Sequence, residues 1–311
     1  MSNTPEDAVV VDKNLADVGR VAEEVLRGNC ILFLGAGVHS APSNESGQPY
    51  DIYPEKVRPL RGGELSADIA ADTGYLNEYP SDQATNLGRV SLYAEHKEGF
   101  GRPWLYDTIR DKVQTGKQPS PMLEALTGFG FRFVATTNYD NLIEQCLWRQ
   151  GKTPQVVVYN KDRNLETDDY IGDRVSDDPT VDRPFVLKIH GDIDKPNSLV
   201  VTDEDYIHFV LRMGDPERFH PVPRSFHDAF CRYSTVFIGY SLLDYNLRLL
   251  FKTLRWGRHP ARQPKTFSVD PRPDWIIRKV YDNIQFIVDD VWTFVPMLQK
   301  EIERRKKENV A

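Results

Sequence analysis

The sequence predicts an α/β fold: a Rossmann-like, mostly parallel sheet with helices on both faces. Three observations predict it. Short runs that are apolar on both faces, such as Cys30–Leu34 and Phe185–Ile189, suit strands buried between two helical layers. Segments with apolar residues at helical spacing alternate with those runs along the chain. Several of the strands end in Gly, Asn or His clusters, at the carboxyl ends where sheets of this kind bind ligands.

Taken in order, Leu15, Val18, Val21, Ala22 and Leu26 recur at helical spacing and Gly28 ends the turn. Cys30–Leu34 is the first strand, closed by Gly35-Ala36-Gly37. Residues 40–61 are rich in Pro, Ser, Gly and Asn and read as a long functional loop. Helical patterns follow at 63–73, 86–97, 104–113 and 121–126, so that 40–128 is expected to form a helical insertion within one domain spanning 1–311. Strands are expected at 131–136, the latter running into Asn138-Tyr139-Asp140 and a helix to about Arg149, and at 155–159. The acidic stretch from Lys161 to Arg183 reads as a solvated excursion. Further strands are expected at 185–189, 199–202, 235–238, 266–269 and 284–287. Helices are expected at 203–211, at 244–254 and at the carboxy terminus.

Bulk properties narrow the function. Hydrophobic residues make up 40% of the 311 and charged residues 27%, ordinary for a globular protein. A formal net charge of −7 argues against general affinity for nucleic acid. Cys30, Cys146 and Cys231 lie far apart, which excludes a four-thiolate zinc ribbon and disfavours a disulfide framework. No signal-like segment or membrane-spanning run is present, and a cytoplasmic location is the expectation.

The strand-ending clusters carry the chemistry, each with a plainer alternative. Gly35-Ala36-Gly37 opens like a dinucleotide fingerprint, where glycine lets backbone amides approach a pyrophosphate, or it is an ordinary turn. Asn138 offers a donor and an acceptor that orient a water or a ribose hydroxyl, and Asp140 accepts from a carboxamide; both also cap helices well. His190 ends a buried strand, and imidazole suits general base work. Gly239 and Ser241 precede a helix amino terminus that favours phosphate. Asp270 accepts from ribose hydroxyls, or is a turn residue before Pro271. No metal-ligand pattern emerges from the remaining histidines.

In their order and spacing, Gly35-Ala36-Gly37, Thr137-Asn138-Tyr139-Asp140, His190-Gly191 and Gly239-Tyr240-Ser241 resemble the sirtuin family, and Gly239–Leu247 looks especially like its bacterial defence branch. The resemblance implies NAD as substrate. Gly35, Ala36 and Gly37 would line the diphosphate, Asn138 the nicotinamide ribose or attacking water, and Asp140 the carboxamide. His190 would be the general base, Gly239 and Ser241 would contact phosphate or ribose, and Asp270 the adenosine ribose. Deacetylase sirtuins carry a four-cysteine zinc module that is missing here, and His39 stands where they have Ser. The expected activity is therefore NAD glycohydrolysis in anti-phage defence, without a metal. The alternatives are a non-catalytic NAD or ADP-ribose sensor, or a deacetylase or ADP-ribosyltransferase. The resemblance also suggests a homo-oligomer, activated by a motor ATPase or an Argonaute-type protein.

Overall fold

The computed structural model describes residues 5–43, 46–79, 84–159, 178–215, 223–240, 263–281 and 283–308. Among these, seven strands form one parallel sheet: β1 (Cys30–Leu34), β2 (Phe133–Thr136), β3 (Gln155–Val158), β4 (Phe185–Lys188), β5 (Ser234–Ile238), β6 (Thr266–Val269) and β7 (Ile284–Ile287). Their spatial order is β3-β4-β2-β1-β5-β6-β7. β1 is central, with β2 on one side in the register Leu32↔Val134 and β5 on the other in the register Leu32↔Val236.

Strand side chains alternate between two apolar layers, as the pleat requires. Leu32, Leu34, Val134, Val186, Val236, Ile238, Phe267 and Ile287 face one layer. That layer is closed by helices α1 (Pro5–Leu26), α5 (Pro121–Thr127), α6 (Leu142–Arg149) and α10 (Val291–Glu308). Ile31, Phe33, Phe133, Phe185, Leu187, Phe237 and Phe286 face the other, covered by α7 (Asp203–Gly214), α8 (Arg224–Arg232) and α9 (Trp275–Val280). Burying each such side chain contributes about 1.5–3 kcal/mol, which explains why runs apolar on both faces are the strands. α10 is tied back across the sheet by Trp292, whose indole Nε1 donates to the Ser40 carbonyl at 2.9 Å.

Between β1 and β2 stand α2 (Gly62–Asp72), α3 (Leu87–His96) and α4 (Arg102–Val113). They share a third apolar cluster, in which Leu65, Ile69, Val90, Leu105 and Ile109 pack with Tyr139, Ile193, Leu199 and Val201. The cluster therefore joins the helices to the loops leaving β2 and β4. Arg102 reinforces the junction, donating to Asp205 at 2.7 Å and to the Leu199 carbonyl at 2.8 Å.

Some expectations need correction. Residues 199–202 are buried but form no strand, because side chains claim their backbone groups. Arg102 takes the Leu199 carbonyl, and Asp205 accepts from the amides of Val201 and Thr202, both at 3.1 Å. α1 is longer than the apolar pattern indicates, starting at Pro5. α8 and α9 were not expected. α8 presents Phe226, Ala229 and Phe230 to the core from among charged neighbours, and α9 has only six residues, started by Asp274 accepting from Ile276 and Ile277. The expected helix at 244–254, Ser241 and residues 161–177 of the acidic 161–183 stretch lie outside the described residues.

Candidate functional site

A cavity of about 590 Å³ opens at the carboxyl ends of β1, β2, β4 and β5. Ala36, Asn138, Asp140, His190 and Gly239 line it, together with Tyr240, His39 and residues of the α2 and α3 ends such as Leu60 and Asn86. Sequence positions more than a hundred residues apart thus meet where the sheet topology diverges around β1. Gly35, Gly37 and Asp270 are not among the described residues that line the cavity, and Ser241 is outside the described residues.

The β1 and β5 loops are locked to each other. Gly35 N donates to Ile238 O at 2.9 Å and Gly37 N to Gly239 O at 3.0 Å. A Cβ at Gly37 would come within 2.8 Å of the Gly239 Cα, and one at Gly239, where φ is +78°, within 2.3 Å of the Val38 amide nitrogen. These glycines are required by the approach of two backbones. The Gly35 and Gly37 amides are thereby engaged in the loop junction. The Tyr240 hydroxyl completes the junction, donating to Leu34 O at 2.8 Å and lying 2.7 Å from Thr137 Oγ1.

The β2 loop is held from below. Thr136 Oγ1 donates to Leu34 O at 3.0 Å and accepts from the Asn138 amide at 3.0 Å. The Asn138 carboxamide lines the cavity, half-buried and with no partner among the described residues. Asp140 is buried and its Oδ1 accepts from the amide of Leu142, the first residue of α6, at 3.0 Å, although the N-cap position itself is held by Asn141; Asp140 also lines the cavity.

Beneath that loop lies a charge cluster that sequence reasoning missed. Lys188, fully buried at the end of β4, donates to Asp140 O at 2.6 Å and Tyr139 O at 3.2 Å. It also meets Asp192 at 2.9 Å and Glu144 at 3.3 Å. Burial alone would lower the Lys188 pKa, but these two carboxylates raise it and keep the ammonium charged. Lysine at a strand end reads as solvent-facing, and its partners are distant in sequence or unremarkable there.

His190 follows Lys188 by two residues and shares the cavity wall with Asn138. Its ring meets Tyr206 and Phe209 edge-on, with centroids 5.3 and 5.2 Å away. Desolvation in this aromatic setting pushes its pKa down to about 3, so the imidazole is neutral at physiological pH. Its backbone is fixed by Val200 N donating to His190 O at 3.0 Å. Gly191 has φ +92°, and a Cβ there would come within 2.3 Å of Ser198 O.

Asp270 accepts from Arg272 N at 2.9 Å and its own amide donates to Ile287 O at 3.1 Å, the arrangement of a turn residue. No group of three or more His, Cys, Asp or Glu side chains among the described residues is arranged to hold a metal ion, and no described helix is long and apolar enough to cross a membrane. The site can accept protons and offer polar contacts to a sugar, from a neutral imidazole and an unengaged carboxamide.

Comparison with known proteins places this geometry in context. Residues 132–288, about half of the chain, match the family model described as SIR2-like domain. "NAD(+) hydrolase ThsA" of Enterococcus faecium is 26% identical over 247 residues, which cover 79% of this chain and 44% of that protein. "Defense-associated sirtuin 2" of Bacillus subtilis is 22% identical over 270 residues, covering 85% of this chain and 23% of that protein. "NAD(+) hydrolase ThsA" of Bacillus cereus (strain MSX-D12) is 28% identical over 236 residues, or 75% and 41%. The chain thus spans less than half the length of these relatives. A solved structure described as "Structural Basis for the Mechanism and Regulation of Sir2 Enzymes" aligns over 93% of this chain and 98% of its own, at 12% identity and a TM-score of 0.45.

Proposed function

The chain belongs to the SIR2-like domain family, and on that premise we propose that it is an NAD glycohydrolase acting through Asn138 and His190. The observation that carries the proposal is the shared cavity, in which an unengaged carboxamide and a neutral imidazole meet at the carboxyl mouth of a parallel sheet. The names of the relatives support the same substrate.

The chemistry suits these groups. The glycosidic nitrogen of NAD is cationic, so nicotinamide departs neutral and no general acid is required. The bond from the ribose anomeric carbon to that nitrogen breaks, and a bond to a water oxygen forms. The site must stabilise an oxocarbenium-like ribose and deliver the water. Asn138 holds the water or a ribose hydroxyl, and neutral His190 accepts the proton, directly or through a ribose hydroxyl. ADP-ribose and nicotinamide leave. Asp140 lies two residues from Asn138, within reach of the carboxamide. The helices of 40–128 form an insertion that caps the nicotinamide end, and the β1 and β5 loops support the dinucleotide from the sheet side.

We extend the proposal to the cell: an NAD-depleting effector of anti-phage defence, acting in the cytoplasm. Its activation would come from self-assembly or from a separate protein, for which a motor ATPase and an Argonaute-type protein are the candidates.

The test is nicotinamide release from NAD, measured for the chain alone and with the product of the neighbouring gene, because an effector held inactive until assembly is silent alone. Asn138→Ala and His190→Ala are each expected to lower release about 100-fold or more, with unfolding unchanged. Normal turnover in either variant rejects the assignment.

A further inference from the structure

Tyr240 stands where the loops of β1, β2 and β5 meet, and it lines the main cavity. Its ring lies edge-on to Phe33 and Phe237, with centroids 5.4 and 5.9 Å away. The ring also passes over Gly35, where a Cβ would come within 3.0 Å of its Cδ1 and Cε1. Phenylalanine would meet each of these packing demands. The hydroxyl needs a separate reason.

The count of protons supplies it. Tyr240 Oη carries one proton and donates it at 2.8 Å to the Leu34 carbonyl, which only accepts. Across the 2.7 Å contact between Oη and Thr137 Oγ1, the threonine is therefore the donor. Donation runs one way, from the loop after β2, through the β5 loop, to the last carbonyl of β1. Hydrogen bonds in such a chain polarise and strengthen one another. The same carbonyl also accepts from Thr136 Oγ1 at 3.0 Å and from Thr137 N at 3.3 Å. Thr136 Oγ1 in turn accepts from Asn138 N at 3.0 Å. These anchors of residues 136–138 converge on one oxygen, and the shortest contact to it comes from Tyr240. The Asn138 carboxamide has no partner among the described residues, so the backbone that carries it sets its position.

We propose that Tyr240 is a positioning residue: its hydroxyl, acting through Thr137, holds the Asn138 carboxamide where hydrolysis requires it. The inference rests on the NAD reading above. Misplacing a catalytic group by about 1 Å costs about 100-fold in rate. Binding of the dinucleotide is spread over the whole cavity, and the same displacement changes it little.

The test is Tyr240→Phe in the full chain, which deletes the hydroxyl and keeps the ring. Amide hydrogen exchange of the unliganded protein reads the loop directly, and the Thr137 and Asn138 amides are expected to exchange at least about fivefold faster. In nicotinamide release, under the conditions that activate the parent, kcat is expected to fall about tenfold or more with KM within about threefold. Thr137→Val deletes the other hydroxyl and should reproduce both effects. Combining the two substitutions should be no worse than the poorer single one, because both break the same bond. Parent-like exchange at these amides overturns the proposal, as does a multiplicative loss in the double variant. Faster exchange with a parent-like kcat makes the hydroxyl merely structural and also overturns it; the NAD reading stands in all three cases. If the parent neither binds NAD nor releases nicotinamide, the NAD reading fails and takes this inference with it.

Discussion

At the scale of single residues, burial decides what each site group can do. His190 is desolvated among aromatic rings and its pKa is pushed to about 3, against about 6.5 for an unperturbed histidine. The imidazole is therefore already neutral across the physiological range. The pH profile of kcat/KM for nicotinamide release should show no fall centred near 6.5 on its acid side. A limb at that pH would contradict a desolvated base. The same shift has a consequence for stability. Above the unfolded value both states are neutral and nothing is lost; as pH falls from about 6.5 toward 3 the unfolded chain takes up a proton that the folded one refuses. Between pH 6.5 and 4.5 this costs up to roughly 3 kcal/mol. Denaturant unfolding of His190→Asn should accordingly depend less on pH over that window than the parent does, and equal slopes would reject the burial account.

Lys188 illustrates the opposite case, a charge kept because its partners surround it. Removing it in Lys188→Met leaves Glu144 and Asp192 buried without their cation and frees the Tyr139 and Asp140 carbonyls. The expected cost is about 3–5 kcal/mol in chemical denaturation, with nicotinamide release reduced because the Asn138 loop loses its support. A loss under about 1 kcal/mol would show that the cluster does not hold the loop. Asn138 and His190 were legible because strand carboxyl ends are ligand positions in any such sheet. Lys188 was not: its role depends on carboxylates from other elements, which a linear pattern does not contain.

At the scale of elements, the sequence is most readable where one interaction dominates. β1, β4 and β5 are apolar on both faces, and hydrophobic burial leaves them no other placement. Residues 199–202 have the same composition, yet they form no strand, because Arg102 and Asp205 take the backbone groups a ladder would use. The glycine clusters are legible as special, and the structure adds a packing constraint on them that a linear pattern does not contain. Gly35, Gly37 and Gly239 exist so that the β1 and β5 loops can touch. Gly239→Ala is therefore expected to destabilise by more than about 2 kcal/mol, since both its φ of +78° and the Val38 amide oppose a Cβ. Gly47→Ala has a similar φ of +67° but open space around it, so only the backbone cost of about 1 kcal/mol applies. Thermal or denaturant unfolding of the two variants distinguishes loop packing from backbone strain; equal losses would remove the packing explanation.

At the scale of the whole molecule, the order of strands creates the site. From β1 the chain moves to β2 on one side and later returns to β5 on the other, so the loops of β1, β2, β4 and β5 converge over one mouth. The number and type of most strands could be read from their apolar runs, but their order could not, since it depends on which helical face each crossover covers. The third apolar cluster, where α2, α3 and α4 meet Tyr139, Ile193 and Leu199, closes the mouth from above. Its composition comes from stretches whose apolar spacing shows that they are helices without showing what they cover.

The most direct measurement is a crystal structure of the full His190→Ala chain with NAD bound. The account predicts the nicotinamide ribose in the main cavity, its anomeric carbon within about 4 Å of the Asn138 carboxamide and facing the space left at position 190. A dinucleotide bound elsewhere, or one whose nicotinamide ribose points away from Asn138 and position 190, would contradict it.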